Sequence, residues 1–330
     1  MKIELKIIPG IILSLLVAWA ARTLSSYIPI GTVSLAILLG LFLGNTIKPG
    51  PLFKTGISFS EKQILALAIA FMGINLNFQI LKTLGIKSIL MIVTALIVTL
   101  STALLLAKPL KFDRRFALLL GIGNGICGSS AIAATKDILG ASEEETGLSV
   151  AIVNFLGTIG LFLLPLLGTW ILKFTEINTG LLLGNTLQAV GQVVAAGFSV
   201  SETTGQTATI IKMTRILMLT PVILVLIWSA PQRVGATSPH HKKQQVSIPP
   251  FIIGFFLFSL IPTLGLLPEN VIHIIKHIAK FALATAMAGV GMKITFSSIL
   301  KKGRAALGLA TLIFLVQIVF SCGMILLLFQ

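Results

Sequence analysis

The sequence is poor in charge. Only 11% of its 330 residues are Asp, Glu, Lys or Arg, whereas soluble domains carry about a quarter. Hydrophobic residues make up 55% of the chain, and its mean hydropathy is +1.02. A soluble fold is excluded, because so few charges cannot cover a water-exposed surface. Apolar runs recur from residue 8 to residue 329, and we conclude that the solvent is lipid.

Acidic residues, cysteines and enzyme motifs are also scarce. The ten Asp and Glu residues fall in predicted loops or at span ends, so no carboxylate is expected at mid-membrane, where cation carriers usually have one. Cys127 and Cys322 lie in apolar segments, which excludes a disulfide framework and a CxxC metal site. No nucleotide-binding, zinc-protease or serine-hydrolase motif is present, so we expect no enzyme and no cofactor. Coupling to Na+ or H+ is left open.

The basic residues are arranged as topology signals. The formal charge is +15, but Lys and Arg lie in short clusters between apolar runs. A nucleic-acid-binding surface requires a continuous basic patch, so nucleic acid is not an expected partner. Cytoplasmic loops of membrane proteins retain Lys and Arg, and the clusters can therefore be used to predict orientation.

The apolar runs have the length of membrane-spanning helices, because about 20 apolar residues cross the hydrocarbon core. They predict an all-α integral membrane protein with about eleven transmembrane helices, at 8–24, 29–47, 63–81, 86–108, 114–139, 145–168, 177–199, 208–229, 249–266, 272–295 and 304–329.

Alternate loops then carry unequal positive charge. Sixteen basic residues fall on the side of the membrane that holds the N-terminus, namely Lys2, Lys6, Lys48, Lys54, Lys62, Lys108, Lys111, Arg114, Arg115, Lys173, Arg233, Lys242, Lys243, Lys301, Lys302 and Arg304. Six fall on the other side, namely Arg22, Lys82, Lys87, Lys136, Lys276 and Lys280. The N-terminus is therefore predicted in the cytoplasm and the C-terminus outside. Residues 231–250 are predicted to form a cytoplasmic linker, because they are polar and Pro-rich.

Many transporters contain two repeats of opposite orientation. A shift of half the length aligns the glycines near Gly125 with Gly289-Val290-Gly291. We therefore predict an extra helix in 1–28 and two inverted five-helix repeats, 29–168 and 169–330. Each repeat would contain a broken helix, near 121–130 and near 287–292.

A second internal similarity joins LALAIAFMG at 65–73 to FALATAMAG at 281–289. We attribute this similarity to shared composition or to a more distant internal repeat.

The fifth predicted span has the composition of a broken helix. Gly121, Gly123, Gly125 and Gly128 lie within eight residues, and each destabilises a helix by about 1 kcal/mol relative to Ala. Two serines follow that are good caps for a new helix. A broken helix in a bilayer is tolerated where it is buried in protein or lines a cavity.

The N-terminus of the second half-helix would present free N–H groups, which favour an anion. Asn124, Cys127, Ser129 and Ser130 would lie beside those amides. The alternative is a continuous glycine-rich helix that packs tightly against its neighbours.

Two further spans carry polar side chains. Gln188 and Gln192 are four residues apart and share one helical face, either as substrate ligands or as interhelical hydrogen-bonding groups. Lys212 and Arg215 lie three apart in the eighth span, where charge indicates function. Arg215 would bind an oxyanion through two N–H groups, with Lys212 as a point charge. The alternative is that both side chains reach the headgroups.

Several of these residues resemble a known family. GIGNGICGSSAIAA at 121–134, GQVVAAG at 191–197, and the pair Lys212 and Arg215 are similar to the YeiH-type sulfate exporter family of bacterial inner-membrane transporters. The resemblance covers nearly the whole chain. It implies membership of the wider bile-acid and sodium/proton transporter group, in which two inverted five-helix units form a core, with crossing broken helices, and a panel domain. The family looks to carry a His and an acidic residue where this sequence has Gln188 and Ala189, so proton coupling through that pair would be altered.

The sequence thus predicts a secondary active transporter that moves a small anion, a sulfate-like oxyanion or a small organic acid, by alternating access across the bacterial inner membrane. The predicted substrate-binding residues are Asn124, Gly125, Cys127, Gly128, Ser129, Ser130, Gln188, Gln192, Lys212, Arg215, Gly289 and Gly291. An anion channel and a sodium-coupled solute symporter are the alternatives. The expected partners are the anion and the lipid bilayer, and a homodimer is left open.

Overall fold

The computed structural model describes residues 5–27, 32–75, 78–229, 250–264, 267–293 and 303–329. The predicted linker at 231–250 lies outside these residues apart from its last one. The α-helices are α1 (Ile8–Leu24), α2 (Thr32–Thr46), α3 (Pro51–Phe59), α4 (Leu65–Met72), α5 (Phe78–Ala107), α6 (Arg114–Gly125), α7 (Ser129–Leu139), α8 (Glu143–Leu166), α9 (Glu176–Thr186), α10 (Val190–Val200), α11 (Glu202–Leu217), α12 (Leu219–Ser229), α13 (Pro250–Thr263), α14 (Glu269–Lys293) and α15 (Arg304–Leu328).

The described chain is all-helical, as predicted, and several helices fit a bilayer. Five are long and apolar enough to cross one, namely Gly85–Ala107, Glu144–Ile171, Glu202–Trp228, Glu269–Lys293 and Arg304–Leu328. Shorter apolar helices include Ile8–Leu24 and Leu35–Thr46. Bulky apolar side chains such as Trp19, Phe42 and Leu105 point outward from the helices, as expected for lipid contact. The chain is therefore a multi-pass membrane protein.

Contacts between distant helices define the two ends of the bundle. At end A, residues Asp113, Ser142 and Arg304 line one surface cavity. At end B, Lys87 Nζ donates to the carbonyl of Leu328 at 2.9 Å. Helices α5, α8 and α15 each run from one of these ends to the other.

The fifth predicted span is broken, and it folds back on itself. Helix α6 ends at Gly125 and α7 begins at Ser129. A Cβ built on Gly140, just after α7, would lie 3.6 Å from Nη1 of Arg115 in the first turn of α6. Both ends of this segment are therefore at end A, and α6 and α7 form a helical hairpin, here called hairpin 1.

The seventh predicted span is a second hairpin, which the sequence analysis did not predict. Helix α9 ends at Thr186 and α10 begins at Val190. The hydroxyl of Thr204, just beyond α10, donates to the carbonyl of Glu176 at the start of α9 at 3.0 Å. The two ends of α9–α10, here called hairpin 2, therefore lie together. They lie at end B, because α8 starts at end A and its 24 residues cross to the other end before α9 begins.

Helix length explains why the hairpins turn back. Helix α6 has 12 residues and α9 has 11, so each is about 17 Å long at 1.5 Å per residue. The hydrocarbon core is about 30 Å thick. Each arm therefore ends near mid-membrane, and the two tips approach one another from opposite ends.

The predicted break near 287–292 is absent. Helix α14 runs without interruption from Glu269 to Lys293. Its glycines instead allow close helix packing, because a Cβ on Gly291 would lie 2.3 Å from the carbonyl oxygen of Ile37 in α2. A Cβ on Gly289 would lie 3.1 Å from the carbonyl oxygen of Ile57 in α3. Small residues commonly permit such backbone approach in membrane bundles.

The helices pack as two bundles. The first, here called the scaffold, contains α1, α2, α3, α4, α13 and α14. The second, here called the core, contains α5, both hairpins, α8, α11, α12 and α15. The bundles meet chiefly where α10 packs on α2 and α14, and Lys280 on α14 forms an ion pair with Glu202 on α11 at 2.9 Å. This grouping does not follow the predicted boundary between residues 168 and 169.

Replacing Gly291 by Ala should destabilise the protein by about 1–3 kcal/mol, because the added methyl group collides with the α2 backbone. Gly308→Ala is the matched control, since a Cβ there meets nothing within 4 Å and should gain up to about 1 kcal/mol in helix propensity. Thermal unfolding in detergent measures both. Equal melting temperatures for the two variants would contradict the close approach of α2 and α14.

Candidate functional site

The tips of the two hairpins touch. The turn of hairpin 1 is closed by Gly128, whose N–H donates to the carbonyl of Gly123 at 2.9 Å and whose φ of +69° favours glycine. A Cβ built on Gly128 would lie 3.5 Å from Cβ of Gln188 in the tip of hairpin 2. The side-chain amide of Gln188 donates to Oδ1 of Asn124 at 2.9 Å. A polar contact therefore joins the two tips inside the protein.

Arg215 binds carbonyl groups at the C-terminal ends of α6 and α9, which are the first arms of the two hairpins. Its Nε donates to Gly125 at 2.6 Å and its Nη2 donates to Asn124, both at the end of α6. Its Nη1 donates to Gly184 at 3.3 Å and to Leu187 at 3.2 Å, both at the end of α9. These bonds use four of the five guanidinium N–H groups.

Lys212 makes the same connection one turn earlier in α11. Its Nζ donates to the carbonyl of Ile126 at 2.5 Å and to that of Leu187 at 2.8 Å. The last carbonyls of a helix have no partner within the helix. The two cations therefore satisfy the ends of α6 and α9 together.

Both cations are buried, and neither is paired with a carboxylate of the described residues. Lys212 is 0% exposed and Arg215 is 1% exposed. The ion pairs of Lys280 with Glu202 and of Lys293 with Glu61 are, by contrast, partly exposed. Buried charges are usually paired or bound to a metal, so this arrangement leaves a site of net positive charge. Lys212 and Arg215 do not reach the headgroups.

A cluster of neutral amides lies beside the cations. Gln192 caps α10, because its Oε1 accepts from the N–H of Ala189 at 3.0 Å, and its Nε2 donates to the carbonyl of Asn154 in α8 at 3.2 Å. The Oε1 of Gln188 is buried without a hydrogen-bond partner. Of the two glutamines, Gln188 is therefore the one with a free hydrogen-bonding group in the cluster.

Helix α8 makes room for these amides. A Cβ built on Gly157 would lie 2.2 Å from Oε1 of Gln192 and 2.5 Å from Oε1 of Gln188. No other residue type fits at this position without moving both side chains.

The same helix also supports hairpin 1. The Val153 side chain lies one turn before Gly157 and packs against α6 and against the turn of that hairpin. Cβ atoms built on Gly123 and Gly128 would lie 3.1 Å and 3.7 Å from its methyl groups. Helix α8 therefore contacts both hairpins.

The structure brings most of the predicted site residues together. Cys127 lies buried in the turn of hairpin 1, and Ser129 begins α7 half-buried. The residues with direct tip contacts are Asn124, Gly125, Gly128, Gln188, Gln192, Lys212 and Arg215. Ser130 is exposed on the outer face of α7. Gly289 and Gly291 lie in α14 against α2 and α3, away from the tips.

Sequence reasoning missed the part played by backbone carbonyls and by α8. The carbonyls of Gly184, Ile126 and Leu187 have no side-chain signature that could indicate them, and no motif marks Gly157. One sequence similarity does point to the second hairpin. The segment LLLG occurs at 118–121 and again at 181–184, and it leads into the C-terminal end of α6 and of α9.

These features define a multi-pass, all-helical membrane protein in which two opposed helical hairpins meet around a buried pair of cations. The family model described as conserved hypothetical protein 698 matches residues 9–310. The chain belongs to this family of UPF0324 membrane proteins.

Relatives match along almost the whole chain. The chain is 32% identical to a UPF0324 membrane protein of Clostridium perfringens, over 97% of this chain and 95% of the relative. It is 34% identical to a UPF0324 membrane protein of Pseudomonas aeruginosa, over 94% and 91%. It is also 34% identical to the UPF0324 membrane protein TauZ of Paracoccus pantotrophus, over 91% and 89%. No solved structure matches.

Replacing Arg215 by Gln should lower the free energy of unfolding by about 2 kcal/mol or more, because buried carbonyls lose hydrogen bonds to a charged group. Arg215→Lys should also destabilise, since an ammonium group cannot replace the planar fork. Lys293→Gln is the control, because its partly exposed ion pair contributes about 1 kcal/mol or less. Thermal unfolding in detergent compares the three, and an Arg215→Gln variant as stable as Lys293→Gln would contradict the assigned role.

Proposed function

We propose that the protein is a secondary active transporter that moves a small anion, a sulfate-like oxyanion or a small organic acid, by alternating access. The observation that carries the proposal is the buried pair Lys212 and Arg215, which has no carboxylate partner among the described residues. The resemblance to YeiH-type sulfate exporters and to the bile-acid transporter group supports the same class of transporter. The relationship to these two families is itself a prediction. The proposal assigns no enzymatic activity.

The charge at the hairpin tips favours an anion. Lys212 and Arg215 together carry two positive charges, and each helix C-terminus that they bind contributes about −0.5. The N-termini of α7 and α10 begin at the same tips and contribute about +0.5 each. The sum is positive, and an anion at the tips would lower the electrostatic energy of the site. The N–H groups in the first turn of α7 and the side-chain amide of Gln188 would help to bind and orient it.

Two hairpins from opposite ends suit alternating access. An anion held between the tips has hairpin 1 on the side of end A and hairpin 2 on the side of end B. Movement of one hairpin at a time would open the site to one side only, as in transporters built from inverted repeats.

We also propose that the two repeats are inverted but permuted in order, in place of the predicted repeats 29–168 and 169–330. The first unit would contain α2, α3–α4, α5, hairpin 1 and α8. The second would contain α13, α14, α15, hairpin 2 and α11–α12. Four sequence similarities support this pairing, namely LALAIAFMG with FALATAMAG, FQILKTLG at 78–85 with FSSILKKG at 296–303, the two LLLG segments, and Ser142-Glu143 with Ser201-Glu202.

End A is proposed to face the cytoplasm of a bacterial inner membrane. With hairpins in place of two crossings, Lys136 moves to end A and Lys173 moves to end B, so the count of basic residues stays at sixteen against six. The positive-inside rule therefore still favours an N-terminus in the cytoplasm and a C-terminus outside. A homodimer and coupling to Na+ or H+ remain predictions.

Transport can be tested before the substrate is identified. A thermal-shift screen of the purified protein against oxyanions and small organic acids identifies a stabilising anion, since a ligand that binds the native state raises its stability. Proteoliposomes loaded with that anion should then accumulate radiolabelled anion by counterflow. Uptake without counterflow would indicate a channel, and the absence of any stabilising or transported anion would contradict the proposal.

Replacing Gly157 by Ala should reduce the rate of anion transport at least about tenfold, because the methyl group displaces Gln188 and Gln192. A misplaced ligand group can lower a rate about a hundredfold. Gly147→Ala is the control in the same helix, since a Cβ there meets nothing within 4 Å. Counterflow in proteoliposomes measures both variants at matched protein density. Equal rates for the two would exclude the amide cluster from the transport site.

A further inference from the structure

The two hairpins differ in how they pack against the scaffold. The second arm of hairpin 2, α10, packs on α2 and α14. A Cβ built on Gly191 at its start would lie 3.2 Å from Leu65 Cδ2, 3.2 Å from Met287 Cε and 3.8 Å from Val290 Cγ2. Hairpin 2 is thus closed against the scaffold.

The second arm of hairpin 1 does not pack in this way. In the described part of the chain, the main contacts of α7 are with α6, α8 and α12 of the core. Ser130, Ala133 and Asp137 lie on one face of α7 and are exposed. Hairpin 1 therefore presents a bare face where hairpin 2 presents a covered one.

One pair of alanines makes the comparison direct. The LLLG register pairs residue 133 of α7 with residue 196 of α10, since each lies twelve residues after the glycine of its LLLG segment. Ala133 is exposed, whereas Ala196 is 1% exposed. The same register pairs the exposed Ser130 with Val193, which is 0% exposed.

The bare face of α7 is unlike a lipid-facing surface. Exposed positions on the outer helices of the core are bulky and apolar, as at Leu105, Val319 and Trp228. The face of α7 carries a hydroxyl, a methyl group and a carboxylate instead. Asp137 lies in the last turn of α7, at end A, where a carboxylate meets water, and the small side chains of Ala133 and Ser130 continue the same exposed face towards the tip.

We propose that this structure is the state closed at end B by hairpin 2 and open at end A along α7. In the opposite state α7 packs on α4 and α13, while α10 leaves α2 and α14. This inference rests on the proposed alternating access, for which hairpin 1 is the gate at end A and hairpin 2 is the gate at end B.

The permuted repeat specifies the contacts of the opposite state. The alignment of 65–73 with 281–289 pairs Met287 with Phe71 and, one residue beyond it, Val290 with Ile74. The LLLG register pairs Gly191 with Gly128. In the opposite state Gly128 therefore lies against Phe71 and Ile74.

The test is the labelling of single added cysteines by a membrane-impermeant maleimide in oriented vesicles. Ala133→Cys and Ala196→Cys form the matched pair, and Ser130→Cys and Val193→Cys provide a second pair if a substitution prevents folding. Wild-type protein, which keeps Cys127 and Cys322, sets the background. Glu144→Cys and Glu176→Cys mark end A and end B, because both glutamates are exposed.

Ala133→Cys should react only from the side that labels Glu144→Cys. It should react at least about tenfold faster than Ala196→Cys, because a buried side chain reacts only when the protein opens locally. Equal labelling of the pair, or labelling of Ala196→Cys alone, would overturn the proposal. No anion is needed for this measurement, so a protein that transports no anion would refute the proposed function without changing the labelling pattern.

Discussion

Two positive side chains on α11 hold together the ends of two helices that arrive from opposite sides of the protein. Lys212 and Arg215 are buried, and their N–H groups bind carbonyls at the ends of α6 and α9. A helix that ends inside a membrane leaves its last carbonyls without partners, which is tolerated only when the protein supplies donors. The cations supply those donors, and both hairpins depend on them.

The same arrangement gives the site its charge. A carboxylate could have balanced the cations, but it would also have made the site neutral. Carbonyl dipoles balance them only in part, and the surrounding Asn124, Gln188 and Gln192 add hydrogen-bonding groups without charge. Structural support and the proposed anion preference therefore depend on one pair of residues.

Local features of the site could be predicted from sequence. The glycines before Ser129 indicated the break in the fifth span, and the charges of Lys212 and Arg215 within an apolar run indicated a buried charged pair. Their bonds to carbonyls could not be predicted, because backbone acceptors have no residue signature. The predicted break near Gly289 was wrong because glycine serves two purposes in membranes, helix interruption and close packing, and composition does not distinguish them.

Topology was harder to predict than the site. A hairpin of two short arms, such as α9–α10, has nearly the same number of residues as one crossing helix, so the sequence of 177–199 predicts a span. The contact between Thr204 and Glu176 reveals the reversal, but it joins residues far apart in sequence. The similarity of 65–73 to 281–289 was present in the sequence, and it gains meaning only when the directions of α4 and α14 are known.

The most direct test of this account is the sidedness of the two ends of hairpin 2. Glu176→Cys and Glu202→Cys flank α9–α10, and both positions are exposed. An impermeant maleimide should label both from the same side of the membrane. Labelling from opposite sides would mean that α9–α10 crosses the bilayer, and it would contradict the meeting of two hairpin tips around Lys212 and Arg215.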